Sequence, residues 1–66
     1  MKQVETIGTV LDVAQVIQEL FQHTEIVVTG SGAEEVGEYV VKTLTDFKVT
    51  HTEKWTDEGH YIKIYD

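Results

Sequence analysis

Residues 26–35 constrain the fold more than any other stretch, because an apolar run there stops at a glycine-rich corner and continues as a helical pattern. Residues 26–28 are three consecutive β-branched side chains without polar alternation, which is typical of a strand in the middle of a sheet. Gly30 and Gly32 then permit a tight reversal of the chain. The sequence therefore predicts a central strand that leads directly into a helix, with the remaining elements packed around it.

Two amphipathic helices are predicted. The first begins near Thr9 or Asp12, since both positions have capping-box spacing, and the second begins at Ser31 with Glu34 as its reciprocal partner. Gly37 lies within the apolar stripe of the second helix, and a helical glycine costs about 1 kcal/mol against alanine, so a neighbouring element is expected to approach closely there. The predicted core-facing positions are Val13, Val16, Ile17, Leu20 and Phe21 in the first helix and Ala33, Val36, Gly37, Val40, Leu44 and Phe47 in the second.

The remaining segments are predicted to be strands. Residues 4–10, interrupted by Gly8, suit a first strand, and residues 48–55 and 60–65 suit a C-terminal hairpin. Right-handed crossovers place both helices on one side of the sheet. The predicted fold class is α/β, an α+β two-layer sandwich with the order βαβαββ, in which two helices cover one face of a four-stranded mixed sheet. Residues 1–66 are predicted to form a single small domain with a core of Ile17, Leu20, Val28, Val40, Leu44, Ile62 and Ile64.

The length of the hairpin loop decides which aromatic side chains share a face. With a three-residue loop at 57–59, Trp55 lies opposite Tyr61 and His51 lies opposite Tyr65, on the face that no helix covers. Amphipathic aromatic residues on such a face are typical of an interaction surface, although exposed aromatics also occur at the rim of an ordinary core. We predict a contact surface for a protein partner, or for a second copy in a homodimer, formed by Val49, His51, Trp55, Tyr61 and Tyr65.

The charge of the chain restricts its partners. Twelve acidic residues against five lysines and no arginine give a net charge of −7. Binding to a phosphate backbone needs clustered cations, so direct binding to nucleic acid is not expected. Glu34, Glu35 and Glu38 form an acidic helix face that a basic partner would recognise, although a solvated surface is the commoner meaning of such charge. No apolar run has the length of a signal peptide or membrane span, which predicts a cytoplasmic protein without a membrane partner.

Few residues suited to catalysis or metal binding are present. The absence of cysteine excludes disulfides, thiolate ligands and thiol nucleophiles. Residues 30–32 resemble a phosphate-binding turn, but they lack the full glycine fingerprint and the lysine, so a plain turn is favoured. His23, His51 and His60 do not have metal-ligand spacing, and the single serine is assigned to a helix cap. We therefore predict no metal, no cofactor and no enzymatic activity.

Over nearly its whole length the chain resembles the small sulfur-carrier family of TusA and SirA type. Residues 4–8 resemble that family's first strand and glycine, and residues 53–61 resemble its last hairpin. The family's Cys-Pro-x-Pro at the start of the first helix is replaced by residues 9–12, so the resemblance implies the fold and docking to sulfur-relay enzymes without sulfur transfer. Residues 25–44 resemble Alba-like nucleic-acid-binding domains, including SpoVS, whose basic residues are absent here.

The predicted function is that of a small acidic protein-binding module without enzymatic activity. It would act as an inhibitor or adaptor and would imitate the charge of DNA toward a basic partner. Two alternatives stay open. One is a degenerate TusA-like carrier that docks sulfur-relay enzymes, and the other is an Alba-like domain that binds nucleic acid.

Overall fold

The computed structural model describes residues 1–65, and its elements follow the predicted order. They are β1 (Lys2–Glu5), α1 (Val10–His23), β2 (Glu25–Thr29), α2 (Ala33–Asp46), β3 (His51–Thr56) and β4 (Gly59–Ile64). The strand order in the sheet is β1-β2-β4-β3, with β1 parallel to β2 and the other two pairs antiparallel. The α/β two-layer fold with a four-stranded mixed sheet is thereby confirmed, and β2 is an interior strand as the apolar run predicts.

The two helices begin in different ways. Thr9 caps α1 in a capping box with Asp12, which confirms the first of the two predicted starts. The prediction that Ser31 caps α2 is wrong, because the N-cap is Gly32 and no side chain bonds the first turn. Tight packing explains the difference, since a Cβ on Gly32 would collide with the backbone of Ile7 and Gly8. The loop before α1 and the loop before α2 therefore pack against each other, with Gly32 in contact with Gly8.

The core lies between the helices and one face of the sheet. Six of the seven predicted core residues are buried, and Ile17 packs partly buried against them. Phe21 and Phe47, which were predicted to face the core, are instead exposed on the helix layer. The buried cluster consists of Val4, Val16, Leu20, Ile26, Val28, Ala33, Val36, Val40, Leu44, Ile62 and Ile64.

The register of the C-terminal hairpin differs from the prediction by one residue. The loop has two residues rather than three, because Thr56 pairs with Gly59 and its hydroxyl accepts the Glu58 and Gly59 N–H groups at 3.2 and 3.3 Å. Trp55 therefore lies opposite His60 rather than Tyr61. A slip of one residue moves a strand's side chains to the other face of the sheet.

The observed register divides the predicted aromatic surface between the two sides of the sheet. Trp55 and His51 pair with His60 and Ile64, which are buried on the side of the sheet that faces the helices. Tyr61 lies on the opposite, uncovered side. Within residues 1–65, no helix is long and apolar enough to cross a membrane.

Candidate protein-binding surface

The uncovered face of the sheet is occupied by its own charged side chains. Lys54 and Lys63 place their ammonium groups 5.7 and 5.1 Å from the ring centroids of Tyr61 and Tyr65. Glu25 lies 3.8 Å from the Lys63 ammonium and accepts a long hydrogen bond of 3.5 Å from the Tyr61 hydroxyl. Burial, followed by the charge of Glu25, raises the pKa of Tyr61. The face is thus polar and internally paired rather than an open apolar surface.

Trp55 instead belongs to a cluster at the edge of the core. Its ring stacks on His60, with centroids 4.5 Å apart and an interplanar angle of 18°. His60 is buried, and its Nε2–H donates to Glu53 at 2.5 Å, since an ionised carboxylate only accepts. The His60 ring also packs against Gly37 of α2, where an added Cβ would collide with the ring. The close approach predicted at Gly37 is confirmed, and a histidine makes it.

The loop between β1 and α1 is held by one carboxylate. Asp12 Oδ2 accepts hydrogen bonds from the backbone N–H groups of Thr9, Ile7 and Gly8 at 2.9, 2.9 and 2.7 Å. The backbone hydrogen bonds from Thr9 and Ile7, with a smaller contribution from the one from Gly8, hold the pKa of Asp12 below its usual range. These contacts turn the chain away from β1, which therefore ends sooner than the 4–10 segment suggested. In the turn at residues 30–32, the Gly32 N–H donates to the Thr6 carbonyl at 3.2 Å and the Ala33 N–H donates to the Gly30 carbonyl at 3.1 Å, so donors that an anion would need are already engaged, which favours the plain-turn interpretation.

Two solvent-facing cavities of about 440 and about 240 Å³ lie between α1 and α2, one toward the N-terminal ends of the helices and one toward their C-terminal ends. We call them together the helix groove and refer to them as its N-terminal and C-terminal halves. The N-terminal half is lined by Gly8, Thr9, Val10, Val13, Ala14, Glu35, Val36 and Tyr39. The C-terminal half is lined by Ile17, Phe21, Thr43, Leu44, Phe47 and Val49.

Large apolar side chains stand exposed along the helix groove. The exposed fractions are 86% for Val10, 60% for Tyr39, 54% for Phe21 and 77% for Phe47. Val10 and Phe21 lie about three turns apart on α1, and Tyr39 and Phe47 lie about two turns apart on α2 and its C-cap. They stay exposed because the apolar arc of each helix is wider than the part that the sheet covers. Scattered exposed apolar residues are ordinary, but several that border the same groove are typical of an interaction site.

The charges along the helix groove are unequal at its two ends. Glu35 lines the N-terminal half, and Glu38 follows it by about one turn on α2. Toward the other end, Lys42 and Asp46 neutralise each other at 3.1 Å. Within residues 1–65, no salt bridge involves Glu35, Glu38 or Glu34 in the first turns of α2. The N-terminal half is therefore the acidic end.

The residues predicted from sequence as partner-binding are distributed over three places. Glu35 and Val49 line the helix groove, while Glu34 and Glu38 lie on α2 outside its lining. The uncovered sheet face and the edge of the core hold the other aromatic residues and His51. Sequence reasoning did not assign four exposed residues to the groove, namely Val10, Phe21, Tyr39 and Phe47. The signal in the sequence was an apolar arc on each helix that is wider than contact with the sheet alone requires.

Neither a family model, nor a curated protein, nor a solved structure matches the chain. Among residues 1–65, no three histidine, aspartate or glutamate side chains come together in a group that could hold a metal ion. The two threonine hydroxyls that border the helix groove are engaged locally, Thr9 with the Asp12 N–H and Thr43 with the Tyr39 carbonyl. The chemistry that the groove offers to another molecule is therefore apolar contact and negative charge.

Proposed function

We propose that the protein is a small acidic binding module that acts without catalysis by holding a partner protein in the helix groove, as an inhibitor or adaptor. The observation that carries the proposal is the row of exposed apolar side chains along that groove. Four of them, Val10, Tyr39, Phe21 and Phe47, expose more than half of their surface. Covering such side chains is worth about 1.5 to 3 kcal/mol each for full burial.

The charge of the surface specifies the kind of partner. Glu35 lines the acidic end, Glu38 lies about one turn after it on α2 outside the lining, and the chain as a whole carries −7. A partner that brings lysine or arginine beside an apolar contact gains attraction there, whereas an acidic partner is repelled. The partner is accordingly a protein segment that is both apolar and basic. The same acidic surface would let the protein imitate DNA toward a basic partner.

The helix groove suits a partner better than the uncovered sheet face does. On that face Tyr61 and Tyr65 already contact lysine side chains, so a partner would have to displace Lys54, Lys63 and the bond to Glu25. Within residues 1–65, no cation–π contact involves an apolar side chain of the groove, so a partner there has none to displace. A homodimer through the sheet face is therefore a less favourable use of the surface than a partner in the groove.

The proposal is tested by selecting binders from a library of displayed random peptides and retesting them on matched variants. Tyr39→Ser combined with Phe47→Ser removes the apolar wall, and both side chains are exposed, so the fold should persist. Tyr65→Ser is the control on the uncovered sheet face. We expect the selected peptides to be apolar and basic, to lose at least about tenfold in affinity on the groove variant, and to keep it on the control.

Two outcomes would contradict the proposal. Peptides that bind the Tyr39→Ser/Phe47→Ser variant as tightly as the unmodified protein place the contact elsewhere. Sedimentation that shows a stable dimer whose dissociation follows from the same double substitution would assign the groove to a second copy instead of a partner. Circular dichroism on each variant establishes that the comparison is made on folded protein.

A further inference from the structure

Resting on the proposed function, we infer that the occupant of the helix groove is an amphipathic α-helix of the partner, which runs antiparallel to α1 and α2 and places a basic C-terminal turn over Glu35 at the acidic end of the groove. The inference specifies the partner's secondary structure, its direction and the location of its charge. Each of these follows from a different feature of the groove.

The walls of the groove favour a helix over an extended segment. Both walls are α-helices, whose backbone N–H and C=O groups bond within the helix and offer nothing to an added strand. An extended peptide would leave its own backbone groups without partners there. A helix satisfies its backbone internally and presents apolar side chains at three- and four-residue spacing, which is the spacing of the residues that line the groove on both helices.

The length of the groove sets the length of the occupant. Along α1 the lining runs from Val10 to Phe21, and along α2 it runs from Glu35 to Phe47. At about 1.5 Å per residue these spans are about 16 to 18 Å, or about three helical turns. A partner helix of about 12 to 15 residues therefore covers the whole row of exposed apolar side chains.

The direction follows from the polarity of the two walls. Val10 and Glu35, which lie near the N-termini of α1 and α2, border the same half of the groove, so the two helices run the same way. Lysine or arginine is favoured in the last turn of a helix, where it complements the negative end of that helix's own dipole, and disfavoured in the first turn. The basic turn that meets Glu35 at the acidic end is therefore the C-terminal turn of the partner helix. This placement makes the partner helix antiparallel to α1 and α2.

The test uses two designed peptides of about 15 residues that differ only in the position of two lysines. Both peptides are acetylated and amidated, carry the same leucine stripe and a hydrocarbon staple on the opposite face, and are labelled with fluorescein. One has its lysines in the last turn and the other has them in the first turn. By fluorescence anisotropy at low ionic strength, we expect the peptide with C-terminal lysines to bind about five-fold more tightly.

Charge variants of the protein separate direction from differences in peptide helicity. Glu35→Gln combined with Glu38→Gln should abolish the preference while both peptides still bind through their leucines. Asp57→Asn combined with Glu58→Gln removes the same charge from the hairpin loop and should leave the preference unchanged. Loss of the preference in both variants would mean that net charge alone produced it, and the inferred direction would be wrong.

The remaining outcomes distinguish failure of the inference from failure of the proposed function. Equal binding of the two peptides, or tighter binding of the one with N-terminal lysines, overturns the antiparallel direction and leaves the groove as the binding surface. Failure of both peptides to bind, or binding that survives Tyr39→Ser with Phe47→Ser, contradicts the proposed function as well.

Discussion

Replacing Gly37 with alanine should destabilise the protein, although the same change inside an ordinary helix is stabilising. Gly37 lies in the middle of α2 and faces the sheet, where the His60 ring occupies the space that a side chain would need. The ring has little freedom to move away, because Trp55 stacks against it and its Nε2–H is bonded to Glu53. The added methyl group must therefore displace either the ring or the helix.

Opposing terms decide the magnitude. Alanine is favoured over glycine in a helix by about 1 kcal/mol. Overpacking costs about 1 to 3 kcal/mol, and disturbing the aromatic stack forfeits about 0.5 to 1.5 kcal/mol more. The expected net loss is about 2 kcal/mol, a large part of the roughly 3 to 10 kcal/mol that a chain of this size possesses. The melting temperature should fall by about 8 to 16 °C.

Urea unfolding of three variants followed by circular dichroism measures the effect. Gly37→Ala alone should lower the free energy of unfolding. Thr45→Ala, at an exposed position of the same helix, should leave the free energy unchanged or raise it slightly. In a His60→Thr background, which removes the ring, Gly37→Ala should become stabilising. A Gly37→Ala protein more stable than the original would refute the packing of His60 against α2.

The other predictions concern the core, the loop clamp, the edge cluster and nucleic acid. Leu44→Ala should cost about 2 to 5 kcal/mol in urea unfolding, whereas Phe47→Ala should cost less than about 1 kcal/mol, and similar losses would contradict the assignment of one to the core and the other to the surface. Because the pKa of Asp12 is lowered in the folded state, its contribution to the free energy of unfolding should be present above about pH 4 and lost as the pH falls below it. Asp12→Asn should therefore weaken the acid dependence of unfolding. An unchanged dependence would contradict the role of Asp12 in holding the loop between β1 and α1. Trp55→Ala should destabilise the fold through loss of the stack on His60 without changing the sedimentation coefficient, and a shift in sedimentation would restore it as an interface residue. Labelled duplex and single strands should show no anisotropy change at low salt, and micromolar binding would contradict the electrostatic argument.

Local patterns predicted most of the fold. The apolar run of β2 and the helical periodicities are determined by residues close in sequence, so the sequence alone specifies them. Capping-box spacing narrowed the start of α1 to Thr9 or Asp12, and the structure selects Thr9. The close approach at Gly37 was also predictable, because a helical glycine on a buried face requires a reason. The identity of its neighbour was not, since His60 reaches Gly37 only through strand pairing.

The hairpin register and the exposed apolar side chains of the helix groove escaped prediction for separate reasons. Gly59 suits loops of either two or three residues, and the hydrogen bonds of Thr56 that decide between them exist only once the turn has formed. The stripe positions of Phe21 and Phe47 fit a core as well as a groove. Periodicity identifies the apolar arc of a helix, but the width of the neighbouring layer decides how much of that arc is covered.

Amide chemical-shift mapping by NMR tests most directly the claim that the helix groove, and not the uncovered sheet face, receives the partner. The peptide with C-terminal lysines is titrated into isotopically labelled protein, and the perturbed amides are located on the structure. We expect the largest shifts at Val10, Tyr39 and Phe47, with Tyr61 and Thr52 unaffected. Shifts concentrated at Tyr61 and Thr52, with the groove amides unmoved, would contradict the claim.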